Sequence, residues 1–262
     1  MQPYEFVGDW SGQIVATSIH AGHGLRPEVA EQMVLPESDR LREEDPWTDE
    51  IASALPARVL VHRSRFETDL NRVREKAVYR TPEDCWGLHV WRDNPLPDAV
   101  VEGSLAVYDA FFDALFERLD AVAQRGPFVL YDVHSYNHRR PGASEPDEPV
   151  EENPEVNVGT GSLDRERFGH VVDAFSEALA GTPVSWGTLD VRENVRFQGG
   201  HLSKWIHARY PGTGCCLALE FRKSFMDEWT AEVDEGRLAE LIAALAGTVP
   251  AVEAALADGP TG

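Results

Sequence analysis

Four short segments of the chain combine residue types that bind metals, move protons or grip carboxylates. The first, SIHAGHG, sets His20 and His23 on either side of a glycine-containing turn. Neutral imidazoles are good zinc ligands, and Gly22 lets the backbone fold tightly enough to bring both rings towards one ion. The second, YDVHSYNHRR, holds Asp132 and His134 two residues apart, so an extended strand points both to one face. A carboxylate there suits a metal-ligating histidine, which it, or a neighbouring ligand, needs for orientation. The third, LALEFRK, places Glu220 inside a strongly apolar run, with Ala218 and Arg222 on its own side of the pleat. A carboxylate is costly in such a setting unless it is paired or used. Desolvation raises its pKa, which suits a general base that deprotonates a water. The fourth, SRFETDLNR, gathers Arg65, Asp69, Asn71 and Arg72. Arginine grips a carboxylate through a two-pronged fork, and asparagine adds a further donor. Each segment also has a plainer reading: solvated loop histidines, a strand-end polar network, a structural carboxylate–arginine pair, a surface ion-pair cluster.

The elements that must position these residues are short apolar runs alternating with helical patterns. Strands are expected at 13–19, 58–62, 128–133, 184–189 and 216–221. The clearest helical pattern runs from about 103 to 124, with Leu105, Tyr108, Phe112, Leu115, Leu119 and Val122 on one face. A second follows Ser162 as N-cap, carries Phe168, Val171, Phe175 and Leu179 inward, and stops at Gly181. A third uses Leu238, Leu241, Ile242 and Leu245, and Pro250 opens a final short helix. Strands alternating with helices predict an α/β fold with an open, mainly parallel mixed sheet covered on both faces. In such sheets ligands bind at the carboxyl ends of the strands, where the loaded segments fall. Residues 137–161 break the rhythm with proline, glycine and acid, and the long loop expected there is read as covering a site.

The 262 residues are 42% hydrophobic, enough for a sizeable core, and one catalytic domain across 1–262 is expected. No apolar run approaches the roughly 20 residues of a membrane span. The N-terminus shows neither a basic segment nor an apolar leader, so a cytoplasmic protein is expected. Cys85, Cys215 and Cys216 are a poor disulfide framework and read as buried small residues. A formal net charge of -21 argues against nucleic acid or anionic membranes as partners. It also means that local arginines must capture any anionic substrate. Oligomeric state is not legible.

Taken together, the segments resemble the N-formylglutamate amidohydrolase family. The likeness spans roughly 14–229 and rests on ATSIHAGHGLRPE, REEDPWTDEIA, SRFETDLNR, DVHSYNHRR, DVRENVRFQGG and LALEFRKSFMDEWT, in that order. Wider relatives, zinc carboxypeptidases and the aspartoacylase–succinylglutamate desuccinylase group, use a His-x-x-Glu pair, a later His and a Glu near the end. By this resemblance Zn2+ is the cofactor, His20 and His134 are ligands, Glu220 is the base, and Asn71 with Arg72 forms a carboxylate clamp. The position matching the second ligand is His23 rather than Glu, so that ligand is expected to be His23, or else Glu44 or Asp45 from the acidic segment at 43–45. Those acids have another use at the start of a helix expected near Pro46.

The expected reaction is metal-assisted hydrolysis of the amide of a small N-acyl acidic amino acid, such as N-formylglutamate. Glu220 takes a proton from water and returns it to the leaving amine, and Arg65 or Tyr136 holds the oxyanion. Two alternatives stay open: carboxypeptidase-like peptide trimming, and a non-catalytic, metal-stabilised module that binds an acidic metabolite. An arginase-like two-metal site is disfavoured because Ser135 and Tyr136, rather than further aspartates, follow His134.

Overall fold

The structure is a computed structural model that describes residues 2–259. The strands are β1 (Tyr4–Val7), β2 (Ile14–Ser18), β3 (Arg58–Val61), β4 (Phe128–Tyr136), β5 (Val156–Gly159), β6 (Pro183–Val184), β7 (Gly187–Thr188), β8 (Val191–Glu193) and β9 (Gly214–Arg222). The helices are α1 (Pro27–Gln32), α2 (Glu37–Glu43), α3 (Thr48–Ala52), α4 (Asp98–Ala123), α5 (Arg165–Ala180), α6 (His201–Arg209), α7 (Glu235–Gly247) and α8 (Val249–Asp258). Seven strands form one sheet in the order β1-β3-β2-β4-β9-β5-β8. The central four, β3, β2, β4 and β9, are parallel, while β1 and β5 enter antiparallel to their neighbours. This is the mixed, mainly parallel α/β sheet that the alternating pattern predicted.

Strand periodicity divides the core between the two faces. Val129, Tyr131 and Val133 of β4, with Cys215, Leu217, Leu219 and Phe221 of β9, point into a core shared with α3, α5, α7 and α8. Phe128 and Leu130, with Cys216, point to the opposite core, where α4 and α6 cover the sheet. By the same alternation Asp132, His134 and Glu220 leave the sheet on the α4–α6 side, beyond the last apolar layer. All three cysteines are buried and free.

Three elements differ from the expectation. The run at 184–189 is no sheet strand: Gly187 adopts φ 132°, and the chain folds back into the separate β6–β7 hairpin. The segment at 137–161 is not wholly a loop, because its last part becomes β5, buried against β9. Asp164 rather than Ser162 caps α5, accepting from the backbone N–H groups of Glu166 and Arg167. Glu235–Asp258 has a mean hydropathy of 1.5 and is long and apolar enough to cross a membrane by composition. It is nonetheless the two helices expected there, divided at Thr248 with Pro250 in the first turn of the second, and α7 and α8 both pack on α5.

Between β2 and β4 the chain reverses its direction of travel across the sheet: β3 lies on one side of β2, while β4 and then β9 lie on the other. The crevice at the carboxyl ends of these two strands is where open α/β sheets bind ligands.

Candidate active site

His20 follows β2 and His134 sits near the end of β4, so the two imidazoles face each other across that crevice with ring centroids 4.8 Å apart. A third buried side chain joins them from the segment between α2 and α3. Asp45 Oδ2 lies 3.0 Å from His134 Nδ1 and 3.4 Å from His20 Nδ1. Ligand atoms of His20, Asp45 and His134 all fall within 4.8 Å of one another. Each ring's other nitrogen meets a carboxylate: His20 Nε2 bonds Asp69 Oδ1 at 2.8 Å, and His134 Nε2 lies 3.0 Å from Asp132 Oδ2. Thr17 of β2 in turn donates to Asp132 Oδ1 at 2.7 Å. The Asp69 bond sets the orientation of His20, and both rings turn Nδ1 towards Asp45, as metal-binding histidines backed by carboxylates do; His134 Nε2 is buried and makes no hydrogen bond. Two imidazoles and a carboxylate, buried together in this way, could hold a metal ion.

The electrostatics are those of crowded buried charge. Burial works against the Asp45 carboxylate, yet hydrogen bonds from His134 and His20 outweigh it and hold Asp45 well below the usual carboxyl range. Burial likewise opposes protonation of His134, but the Asp132 charge dominates and raises it well above the ordinary imidazole value. A metal must therefore displace a proton from this site.

Glu220 stands directly across the β4–β9 ladder from His134 and lines the cleft. Burial, opposed by the His134 charge and reinforced by Asp45 and Asp132, pushes its carboxyl up to about 8. Arg222 does not close on it; that guanidinium lies 3.6 Å from Glu155 and donates to the Asn153 carbonyl. Among the described residues no side chain hydrogen-bonds Glu220.

The other expected site residues are placed unequally. His23 is outside the cluster: its Nδ1 bonds Glu44 Oε2 at 2.5 Å and its Nε2 faces Glu37. Glu44 is outside it too, held by His23, Ser64 and Arg40 on the far side of the backbone from Asp45. The physical reason is local: neighbours in an extended segment point to opposite sides, so Asp45 reaches the crevice and Glu44 cannot. Arg65 and Asn71 line the cleft. Arg65 donates to Asp69 Oδ2 at 2.9 Å and to the Glu43 carbonyl, and Asn71 Oδ1 accepts from the Leu202 N–H at the start of α6. Arg72 does not reach the wall. Its guanidinium lies over the Tyr79 ring at 4.6 Å and donates to the Asp84 carbonyl, so only the Asn71 half of the expected clamp faces a ligand. Tyr136 lines the cleft with its ring, but its hydroxyl already donates to the Pro154 carbonyl.

The N-formylglutamate amidohydrolase family model matches residues 12–226. The chain belongs to that family. It is therefore a hydrolase acting on a non-peptide C–N amide bond. A solved N-formylglutamate amidohydrolase from Ralstonia eutropha is 19% identical, with 97% of each chain covered and a TM-score of 0.74. A solved gene product of Agrobacterium tumefaciens is 17% identical over 97% of this chain and 96% of its own, with a TM-score of 0.68. Both likenesses are of fold. A search of curated proteins finds no match.

In this amidohydrolase the cleft encloses about 400 Å³, in the range of small-molecule sites. Several supports and walls of the cleft have roles that the sequence did not show. Asp69 is the hub that fixes His20, Arg65 and the Asn71 backbone at once. Lys223, fully buried, donates to the carbonyls of Arg42 and Glu44 at 2.7 and 2.8 Å and so clamps the segment that carries Asp45. Burial lowers its ammonium to about 8. Trp86 shields the outer side of Arg65, and Gly199 and Gly200 bring the backbone before α6 close to the site. A Cβ on Gly200 would overlap the Asn71 amide. The loop after β4 contributes Asn137 and Arg140 to the wall, while Arg196 reaches in from the RFQGG segment. Nothing local in LALEFRK marks Lys223 as buried, and nothing local marks Asp69 apart from the other acids.

Proposed function

We propose that this protein hydrolyses the amide of a small N-acyl acidic amino acid, such as N-formylglutamate, with zinc held by His20, Asp45 and His134. A bound zinc supplies a Lewis acid and lowers the pKa of water to about 7 in sites of this kind. The observation that carries the reading is Glu220: a half-buried carboxyl facing the cleft, raised to about 8 and without a hydrogen-bond partner, beside a ready-made ligand cluster among arginines. Glu220 removes the proton of the attacking water and delivers it to the departing amine nitrogen. Arg65, held by Asp69 and covered by Trp86, stabilises negative charge that develops on the acyl oxygen. Asn71 keeps its Nδ2 donor for a substrate carboxylate, because its Oδ1 is occupied by Leu202. Arg72 acts behind the wall, 3.6 Å from Asp69, and reinforces that hub rather than binding substrate. The seven-stranded sheet, which takes strands from Tyr4 to Arg222, supports reading the chain as one catalytic domain.

The test is direct. Purified, zinc-loaded protein is expected to release formate and glutamate from N-formylglutamate. Glu220→Gln keeps the shape and removes the base, so turnover is expected to fall by about 10²–10⁴-fold while zinc content stays stoichiometric. Equal loss of zinc and turnover makes Glu220 a ligand or a structural group. Release of free amino acids from C-terminal dipeptides in preference to formate from N-formylglutamate assigns the cleft to peptide trimming.

A further inference from the structure

The cleft wall carries four arginines, and their charges are not equally available. Arg65 is answered by Asp69 at 2.9 Å, Arg196 by Glu148 at 2.8 Å, and Arg140 by Glu43 at 3.4 Å. Arg42 differs. Its nearest carboxylate is Glu228, whose Oε1 lies 3.8 Å from Arg42 Nε. Only Oε2 of Glu228 is engaged, accepting the backbone N–H groups of His138 and Arg139 at 2.7 and 3.0 Å; the Oε1 that faces Arg42 is buried and makes no hydrogen bond, so the pair is held by charge alone. Arg42 Nε is buried and makes no hydrogen bond, Nη2 donates to the Arg140 carbonyl, and Nη1 has no protein partner among the described residues.

Arg42 is nevertheless held firmly. Its guanidinium is stacked 3.7 Å from the centre of the Trp229 ring, and its carbonyl accepts from Asn137 Nδ2 and Lys223 Nζ. Such stacking fixes the plane of the fork without consuming its donors. A positioned arginine on the wall of a cleft, with a free Nη1 and no hydrogen bond to a protein carboxylate, suits a carboxylate ligand. It also hangs on a different frame from Arg65 and Asn71. Those two are set by Asp69 after β3, whereas Arg42 is set by Glu228 and Trp229 beyond β9.

We infer that Arg42 is the specificity-determining residue for the second, side-chain carboxylate of the substrate, which it binds as an ion pair while Asn71 and Arg65 engage the amide end. This rests on the reading of the cleft as an N-acyl amino acid site. It explains how one pocket tells glutamate from its neutral isostere glutamine. A site that has placed a desolvated charge for a ligand group discriminates strongly against the analogue that lacks it.

The experiment compares N-formylglutamate with N-formylglutamine on the zinc-loaded wild type, Arg42→Met and Arg42→Lys. Methionine keeps the stem that packs on Trp229; lysine keeps the charge and loses the fork. The wild type is expected to favour N-formylglutamate, and Arg42→Met to collapse that ratio of kcat/KM by about 100-fold, through KM. Arg42→Lys is expected to retain an intermediate preference. A ratio that stays at the wild-type value in both variants overturns the assignment, as does a proportional loss on both substrates. A parallel arm measures binding of glutarate against its monoamide by calorimetry and needs no turnover. If the wild type hydrolyses neither formyl compound, the catalytic reading fails while this arm still reports on Arg42. Equal affinity of the wild type for glutarate and its monoamide refutes the Arg42 role even if catalysis is observed.

Discussion

Asp69→Asn tests the logic of the site most sharply, because asparagine has the same shape and one fewer acceptor. In the structure four donors converge on the Asp69 carboxylate. Oδ1 accepts from His20 Nε2 at 2.8 Å and the Asn71 N–H at 2.9 Å; Oδ2 accepts from Arg65 Nη2 at 2.9 Å and from the Tyr79 hydroxyl. The residue is fully buried, and Arg65, His20 and Tyr79 together overcome its desolvation and hold it well below the usual carboxyl range. Asparagine must turn its NH2 towards one of these donor pairs. With the NH2 on the Oδ2 side, Arg65 loses its counter-charge and one charge-assisted bond, and Tyr79 loses its acceptor. With it on the Oδ1 side, His20 must invert its tautomer to accept at Nε2, which puts a proton on the Nδ1 that faces Asp45. The first orientation loses two bonds, one of them to charged Arg65; the second loses the Asn71 N–H acceptor and forces the wrong His20 tautomer; both leave buried Arg65 without its counter-charge, so the variant should be destabilised by about 3–5 kcal/mol. Zinc affinity should drop about 10–100-fold, the usual effect of removing a histidine's supporting carboxylate. Urea unfolding of the metal-free protein measures the first, and competition against a chromophoric chelator measures the second. A loss below about 1 kcal/mol together with unchanged zinc affinity would refute the claim that Asp69 sets the His20 tautomer.

Two further variants separate His23 from Asp45, two of the alternatives expected for the second ligand, which the structure places differently. Asp45→Ala should leave purified protein with little bound zinc by elemental analysis, whereas His23→Ala should retain one equivalent, since His23 faces Glu44 and Glu37. Stoichiometric zinc in the first or loss of zinc in the second returns His23 to the ligand set. Stability should also depend on pH through His207, which lies far from the cleft chemistry. Its Nε2 accepts the Cys216 backbone N–H at 3.0 Å and its Nδ1 meets Ser162, so the ring is held neutral, and burial lowers it to about 4 from 6.5. The unfolded chain therefore binds more protons between these values. This contribution is fully present above about pH 6.5 and is lost as pH falls towards 4. The total is about 3 kcal/mol, seen as a slope in ΔG against pH that His207→Gln should flatten. An unchanged slope in that variant rejects the assignment.

The parts of the site that were legible in the sequence are those carried by strand periodicity. Asp132, His134 and Glu220 are two-residue alternations within long apolar runs, and the parallel β4–β9 register brings His134 and Glu220 side by side. His20 was legible because the turn after β2 demands glycine: a Cβ on Gly22 would lie 2.4–2.7 Å from the backbone of β3's exit, so the loop is pressed against the neighbouring strand. What the sequence hid are choices between adjacent residues outside regular structure. Whether Glu44 or Asp45 faces the crevice depends on the phase of a short extended segment, and that phase is fixed by Lys223 from 179 residues away. Arg72 was misjudged for a similar reason: the turn after Asp69 directs Asn71 inward and its neighbour towards Tyr79 and Trp86. Strand β5 was missed because its four residues follow a run of acid and proline, and only pairing with β9 makes them a strand.

The overall charge of -21 and an anionic substrate are reconciled by distance. At physiological ionic strength the Debye length is about 8 Å, so the acidic exterior is largely screened from a molecule inside the cleft. There the local balance is reversed: Arg42, Arg65, Arg140, Arg196 and Lys223 face Glu43, Asp45 and Glu220. Glu220, with its carboxyl pushed up to about 8, adds little negative charge at neutral pH before metal binds. A metal at His20, Asp45 and His134 would add two positive charges and draw the Glu220 proton off, so the ion that activates the water would also create the base. Capture by arginine and activation at the ligand cluster thus need no help from the protein's global field. The surface is left free to be acidic without repelling what the interior must bind.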